Sequence, residues 1–129
     1  MESSALFKRY IAEPDSGSAI LLMESEATLS TSRLTVVEVR RNLARLLDGA
    51  ALVQKRQDLL TDLESFHIAA LDDTTFEDAA RIAEETLCRS LDAIHLAAAR
   101  RASPNATVLT FDRRQAQAAR AIGIEVLGT

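Results

Sequence analysis

The sequence predicts an α/β domain, a central and mostly parallel sheet flanked by helices. Three observations predict it. Short apolar runs recur at residues 67–71, 107–111 and 124–127. They alternate with longer stretches whose apolar residues follow a helical period. Only 4 Gly and 2 Pro punctuate 129 residues, too few for the many turns of an all-β chain.

Residues 3–11 read as a helix, broken by Glu13-Pro14-Asp15, because the residue before a proline is pushed out of the helical region. Asp15 or Ser16 caps a helix to about residue 25, with Ile20, Leu21 and Met23 expected inward. Residues 28–31 read as a strand. A helix follows over 34–48, its apolar side made by Val36, Val37, Leu43, Leu46 and Leu47, with Gly49 as an interruption. Further helices are expected over 51–66, 74–86, 90–101 and 113–122, the last stopped by Gly123. The three apolar runs named above are the remaining strands. In such a layout ligands bind beyond the carboxyl ends of the strands, so acids there are the first candidates for chemistry.

The length suits one domain, 1–129, able to stand without disulfides or a structural metal. The one cysteine, Cys88, cannot form an internal disulfide, and a reduced cytoplasmic setting is the simplest expectation. No apolar run approaches the length of a membrane span, and no basic-then-apolar leader is read. A net charge of −4 argues against binding nucleic acid through one broad positive field. Basic pairs such as Arg40–Arg41 and Arg113–Arg114 suit local phosphate contacts or simply solvated helix faces.

Four acids have apolar neighbours: Glu2, Glu38, Asp92 and Asp112. Burying a carboxylate is costly unless a cation or strong donors compensate it. If the four converge, a hard divalent cation such as Mg²⁺ or Mn²⁺ is the natural compensation. Nothing in the Cys and His spacing suits zinc. Each acid alone also fits a plainer role. Asp112 could cap the helix at Arg113, and Asp92 could answer a helix dipole. Glu38 could reach solvent, and Glu2 could be a frayed end. His95 lies one helical turn from Asp92 and reads as a packed or supporting residue.

Taken in order, four segments resemble the PIN domain, and more narrowly the VapC-type toxins of toxin–antitoxin systems. They are Glu2-Ser3-Ser4-Ala5-Leu6-Phe7-Lys8, Val36-Val37-Glu38-Val39, Arg89-Ser90-Leu91-Asp92-Ala93-Ile94-His95-Leu96-Ala97 and Leu109-Thr110-Phe111-Asp112-Arg113-Arg114. The resemblance spans essentially the whole chain. It implies an endoribonuclease dependent on Mg²⁺ or Mn²⁺, which hydrolyses RNA phosphodiesters with metal-activated water. By carry-over, Glu2, Glu38, Asp92 and Asp112 form the acidic metal pocket and Ser4 and Thr110 support it. Arg89 and Arg113 are read as holding neighbouring phosphates. The implied partners are the RNA, a cognate VapB-type antitoxin and a second copy in a homodimer.

The chain departs from the family pattern twice. Glu2 stands where the family has aspartate, one methylene shorter. The family also places a short apolar strand ahead of the first acid, whereas here only Met1 precedes Glu2, so that strand is expected to be truncated or absent. Both departures keep open an alternative, a degenerate PIN scaffold that binds RNA or protein without cleavage. A receiver domain of similar length is a poorer match, because the only lysines are Lys8 and Lys55 and neither follows a late strand.

Overall fold

The computed structural model of the protein describes residues 6–24, 29–103 and 105–128. Leu6 and Phe7 are helical and run into a turn over residues 8–10, and the Ile11 N–H donates to the Phe7 carbonyl at 3.1 Å. Of the helix expected over 3–11, residues 3–5 lie outside the described chain. Tyr10 and Arg9 pin this turn to Asp62: the Tyr10 hydroxyl donates to Oδ2 at 2.7 Å and Arg9 Nε donates to the same oxygen at 2.9 Å. Burial and the Asp62 carboxylate push the Tyr10 phenol well above its usual pKa.

Helix α1 spans Ser16–Glu24, and strand β1 spans Ser30–Ser32. Ser32 is extended, and its hydroxyl accepts a long bond from the Thr35 N–H at 3.5 Å, so β1 turns directly into helix α2, Arg33–Leu46. Helix α3, Gly49–Leu63, begins after a break at which Gly49 takes a φ of +52°, a conformation that costs glycine little. Strand β2, His67–Ala69, leads to helix α4, Asp73–Thr86. A short link through Leu87, Cys88 and Arg89 starts helix α5, Ser90–Ala102. Strand β3 is Thr107–Leu109, helix α6 is Arg113–Ala121, and strand β4 is Glu125–Leu127.

Among the described residues all strand pairing is parallel, as the alternation of strands and helices requires. β1 pairs with β2, Thr31 opposite Ile68, and β3 pairs with β4, Val108 opposite Val126. Among the described residues these are two separate two-stranded sheets. Between them lies a cavity of about 340 Å³, lined by β1 residues, by β3 residues and by the buried amide of Gln115. Helix α5 packs against β1, β2 and β3, and so spans both sheets. Its alanines at 93, 97 and 98 are buried, and their small size permits that close approach.

Among the described residues, three apolar clusters form the interior. The largest joins Ile82 of α4, Leu96 of α5 and Ala119 of α6 to Val108 and Ile124. A second joins Leu6, Phe7 and Tyr10 to Val39, Leu43 and Leu59. The inward faces differ in detail from the expected ones. On α1 the buried residues are Ala19 and Met23, one turn apart, while Leu21 is 69% exposed. On α2 they include Val36, Val39 and Leu43, while Val37 and Leu46 are exposed. The short helices carry more apolar residues than one face can bury, and tertiary packing decided which of them turned inward. No helix among the described residues is long and apolar enough to cross a membrane.

The strands at 67–71 and 107–111 stop two residues earlier than expected because the chain is diverted into a helix cap. Asp72 Oδ1 accepts from the Thr75 N–H at 3.0 Å, and the Thr75 hydroxyl donates to the Ala70 carbonyl at 2.9 Å. The backbone and hydroxyl donors of Thr75 lower the pKa of Asp72 below its usual 3.8. A lowered folded-state pKa gives stability that is present above the usual carboxylate value and lost as pH falls through the folded value. Asp72→Ala should therefore lower the melting temperature at pH 7, and the difference from wild type should shrink as pH falls below the usual carboxylate range. Parallel thermal melts across that range check this.

Candidate active site

Two helix faces and one strand end build the site. Glu38 lies on α2 one turn after Thr35, and Asp92 and His95 lie on α5 one turn apart, so each helix presents two polar groups on one side. The two faces meet. His95 Nε2 pairs with Glu38 Oε1, and His95 Nδ1 lies 3.4 Å from the Thr35 hydroxyl. Thr35 and His95 are buried, which fixes the imidazole between Glu38 and Thr35. This leaves Oε2 as the Glu38 oxygen available to a ligand.

Asp92 is 6% exposed, in the first turn of α5, where the helix dipole favours a negative charge. Its compensating cation is Arg89, the residue that starts the helix: Arg89 Nε donates to Asp92 Oδ2 at 3.0 Å. The same guanidinium reaches the end of β3. Arg89 Nη2 lies 3.5 Å from Asp112 Oδ2. Asp112 also caps α6, with Oδ1 accepting from the Arg114 N–H at 2.9 Å and the Gln115 N–H at 3.2 Å. The two readings of Asp112 are thus not exclusive, because a carboxylate has two oxygens: one caps, the other faces Arg89. Thr110, fully buried, sets this geometry, since its hydroxyl accepts from the Asp112 N–H at 3.1 Å.

Arg89 therefore reports on the whole cluster. Its pKa is raised, first by the hydrogen bond to Asp92, and further by the charges of Asp92, Asp112 and Glu38. Three acids from α2, α5 and the end of β3 act on one guanidinium. Glu2 and Ser4, the other two residues assigned to this pocket, lie outside the described residues. Lys8 Nζ sits 5.1 Å from the centre of the Phe111 ring, just beyond β3. Arg113 is exposed at the first position of α6, beside Asp112.

The donors are all carboxylate oxygens, the type that hard divalent cations take. Asp92 and Asp112, which share Arg89 as a positive partner, are of the right donor type to hold such an ion as two of its ligands. No set of three or more His, Cys, Asp or Glu arranged to hold a metal occurs among the described residues. Thr35 was missed in the sequence reading. Its signal was the Ser32-x-x-Thr35 cap spacing, which places Thr35 one turn before Glu38 on the same face.

The comparisons agree with this architecture. The chain resembles the crystal structure of FitAcB from Neisseria gonorrhoeae, with a TM-score of 0.70 and 20% identity over 98% of this chain and 94% of that one. At that identity the likeness speaks for the fold. No curated protein matches the chain. The PIN domain model matches residues 2–121, an interval that contains every acid of the cluster. With nearly the whole sequence matched, and with parallel strand pairs whose carboxyl end gathers Glu38, Asp92 and Asp112, the chain belongs to the PIN domain family.

Proposed function

We propose that the protein is a VapC-type toxin, a nuclease that hydrolyses RNA phosphodiester bonds with Mg²⁺ or Mn²⁺. The observation that carries this reading is the pair of oxygens, Asp92 Oδ2 and Asp112 Oδ2, turned toward one shared positive group. A metal held there, with Glu38 and Glu2 completing its ligands, would activate water and stabilise the charge of in-line attack on phosphorus. The chain's own residues position the parts. Thr110 and the α6 cap fix Asp112, and His95 with Thr35 fixes Glu38. Arg89 and Arg113 stand at the rim, where guanidinium groups can hold neighbouring phosphates.

The toxin reading includes a cognate antitoxin and a homodimer. A carboxylate-rich groove on a chain of net charge −4 attracts a basic antitoxin segment. Exposed apolar residues on α2 and α3, among them Val37, Leu46, Val53 and Leu60, supply surface for protein partners.

One observation favours the alternative, a PIN scaffold that binds without cutting: the described residues contain no three-ligand group, and Glu38 is engaged by His95. Mapping of RNA ends after incubation with the purified protein separates the two readings. The nuclease reading expects defined cleavage products with Mn²⁺ or Mg²⁺ and none with EDTA. Failure to cleave with either ion, or cleavage that EDTA leaves untouched, overturns it.

A further inference from the structure

In this structure Arg89 is engaged with the carboxylates. Its guanidinium bridges Asp92 and Asp112, which come from different elements twenty residues apart, and it feels the charge of Glu38 as well. It touches one Oδ2 on each aspartate, and the Oδ2 of Asp112 is the oxygen that its helix cap leaves for a cation. Asp112 has no alternative to offer, since its Oδ1 is committed to the α6 backbone. A guanidinium and a doubly charged ion drawn to the same Asp112 oxygen repel each other at that range, so each opposes the other's binding.

We propose that Arg89 is a built-in counter-ion that competes with the metal for Asp92 and Asp112, and that metal entry requires its displacement. This rests on the metal-dependent reading above. The geometry permits the exchange without any change of fold. Asp92 is buried and held by α5, and Asp112 is held by its cap, whereas the Arg89 side chain is 59% exposed and rotates about its own torsions. With Arg89 in place, the buried Asp92 carboxylate keeps a charged partner and the site stays intact before any ion arrives. Once displaced, the guanidinium remains tethered at the start of α5, free for the phosphate-holding role proposed above. One residue thus guards the ligand set and is released toward the substrate by the ion.

Mn²⁺ titration of the protein without RNA, by calorimetry or by electron spin resonance of the free ion, tests this directly. Arg89→Gln should bind Mn²⁺ about tenfold more tightly than wild type, since it removes the competing charge and keeps a hydrogen-bonding side chain. Arg89→Lys, which retains charge but loses the fork that spans both aspartates, should fall between them. Circular dichroism confirms that each variant is folded. Asp92→Asn serves as the reference for loss of the site. If wild type binds Mn²⁺, Asp92→Asn does not, and Arg89→Gln binds no more tightly than wild type, competition is refuted while the metal-dependent reading stands. If neither wild type nor Arg89→Gln binds, both fall.

Discussion

Asp92→Asn should abolish RNA cleavage, by a factor of at least roughly 10², while the protein still folds. Among the three described acids, Asp92 is the most buried, so its charge is the least screened by water. Asparagine keeps the size and an oxygen that can accept from Arg89 Nε, so the first turn of α5 and its contact with Asp112 need not rearrange. What disappears is the negative charge. On the metal-dependent reading proposed above, a divalent ion would then lose a ligand and the electrostatic reason to reside there. Single-turnover cleavage of a mapped RNA, with circular dichroism on the same sample, measures both parts. Undiminished metal-dependent cleavage by the folded variant would sink the assignment of the site.

The largest expected effect on stability lies one turn away. Leu96→Ala should cost roughly 2–5 kcal/mol, because a fully buried leucine at the centre of the largest apolar cluster leaves a cavity when truncated. For a domain of this size that corresponds to a fall of roughly 10 °C or more in melting temperature. Leu96 adjoins His95 in sequence, and α5 is the element that spans both strand pairs, so the loss should also loosen the hold on Glu38. The expected signature is reduced cleavage well below the melting transition, recovered in part by lowering the temperature or by Leu96→Met. Thermal melts of the alanine and methionine variants decide it. A shift of less than about 3 °C for Leu96→Ala would mean that the cluster is not the stabilising core.

Some of this was legible along the chain and some was not, for identifiable reasons. The helix starting at Ser90 and the stop at Gly123 were readable because local chemistry sets them: an acid in the first turn at Asp92, and a glycine with a φ of +80° after the last turn. The inward faces of α1 and α2 were misread at Leu21, Val37 and Leu46 because apolar character alone does not say which of several candidates a neighbouring element will cover. The strand ends at Ala69 and Leu109 were placed too late because Asp72 and Asp112 act as caps, and a cap overrides the β preference of the residues before it.

The sequence by itself determined the order of elements, the likeness to the PIN domain and the identities of the candidate acids, because each rests on local pattern and spacing. Only the tertiary structure decided that Glu38 is held by His95 and Thr35, that Asp112 divides its two oxygens between a helix cap and Arg89, and that Arg89 ties Asp92 to Asp112. The physical reason is range. Caps, turns and helical periods are fixed by residues a few positions apart, whereas a charge cluster forms between side chains 20 to 60 positions apart, and their distances exist only once the helices have packed.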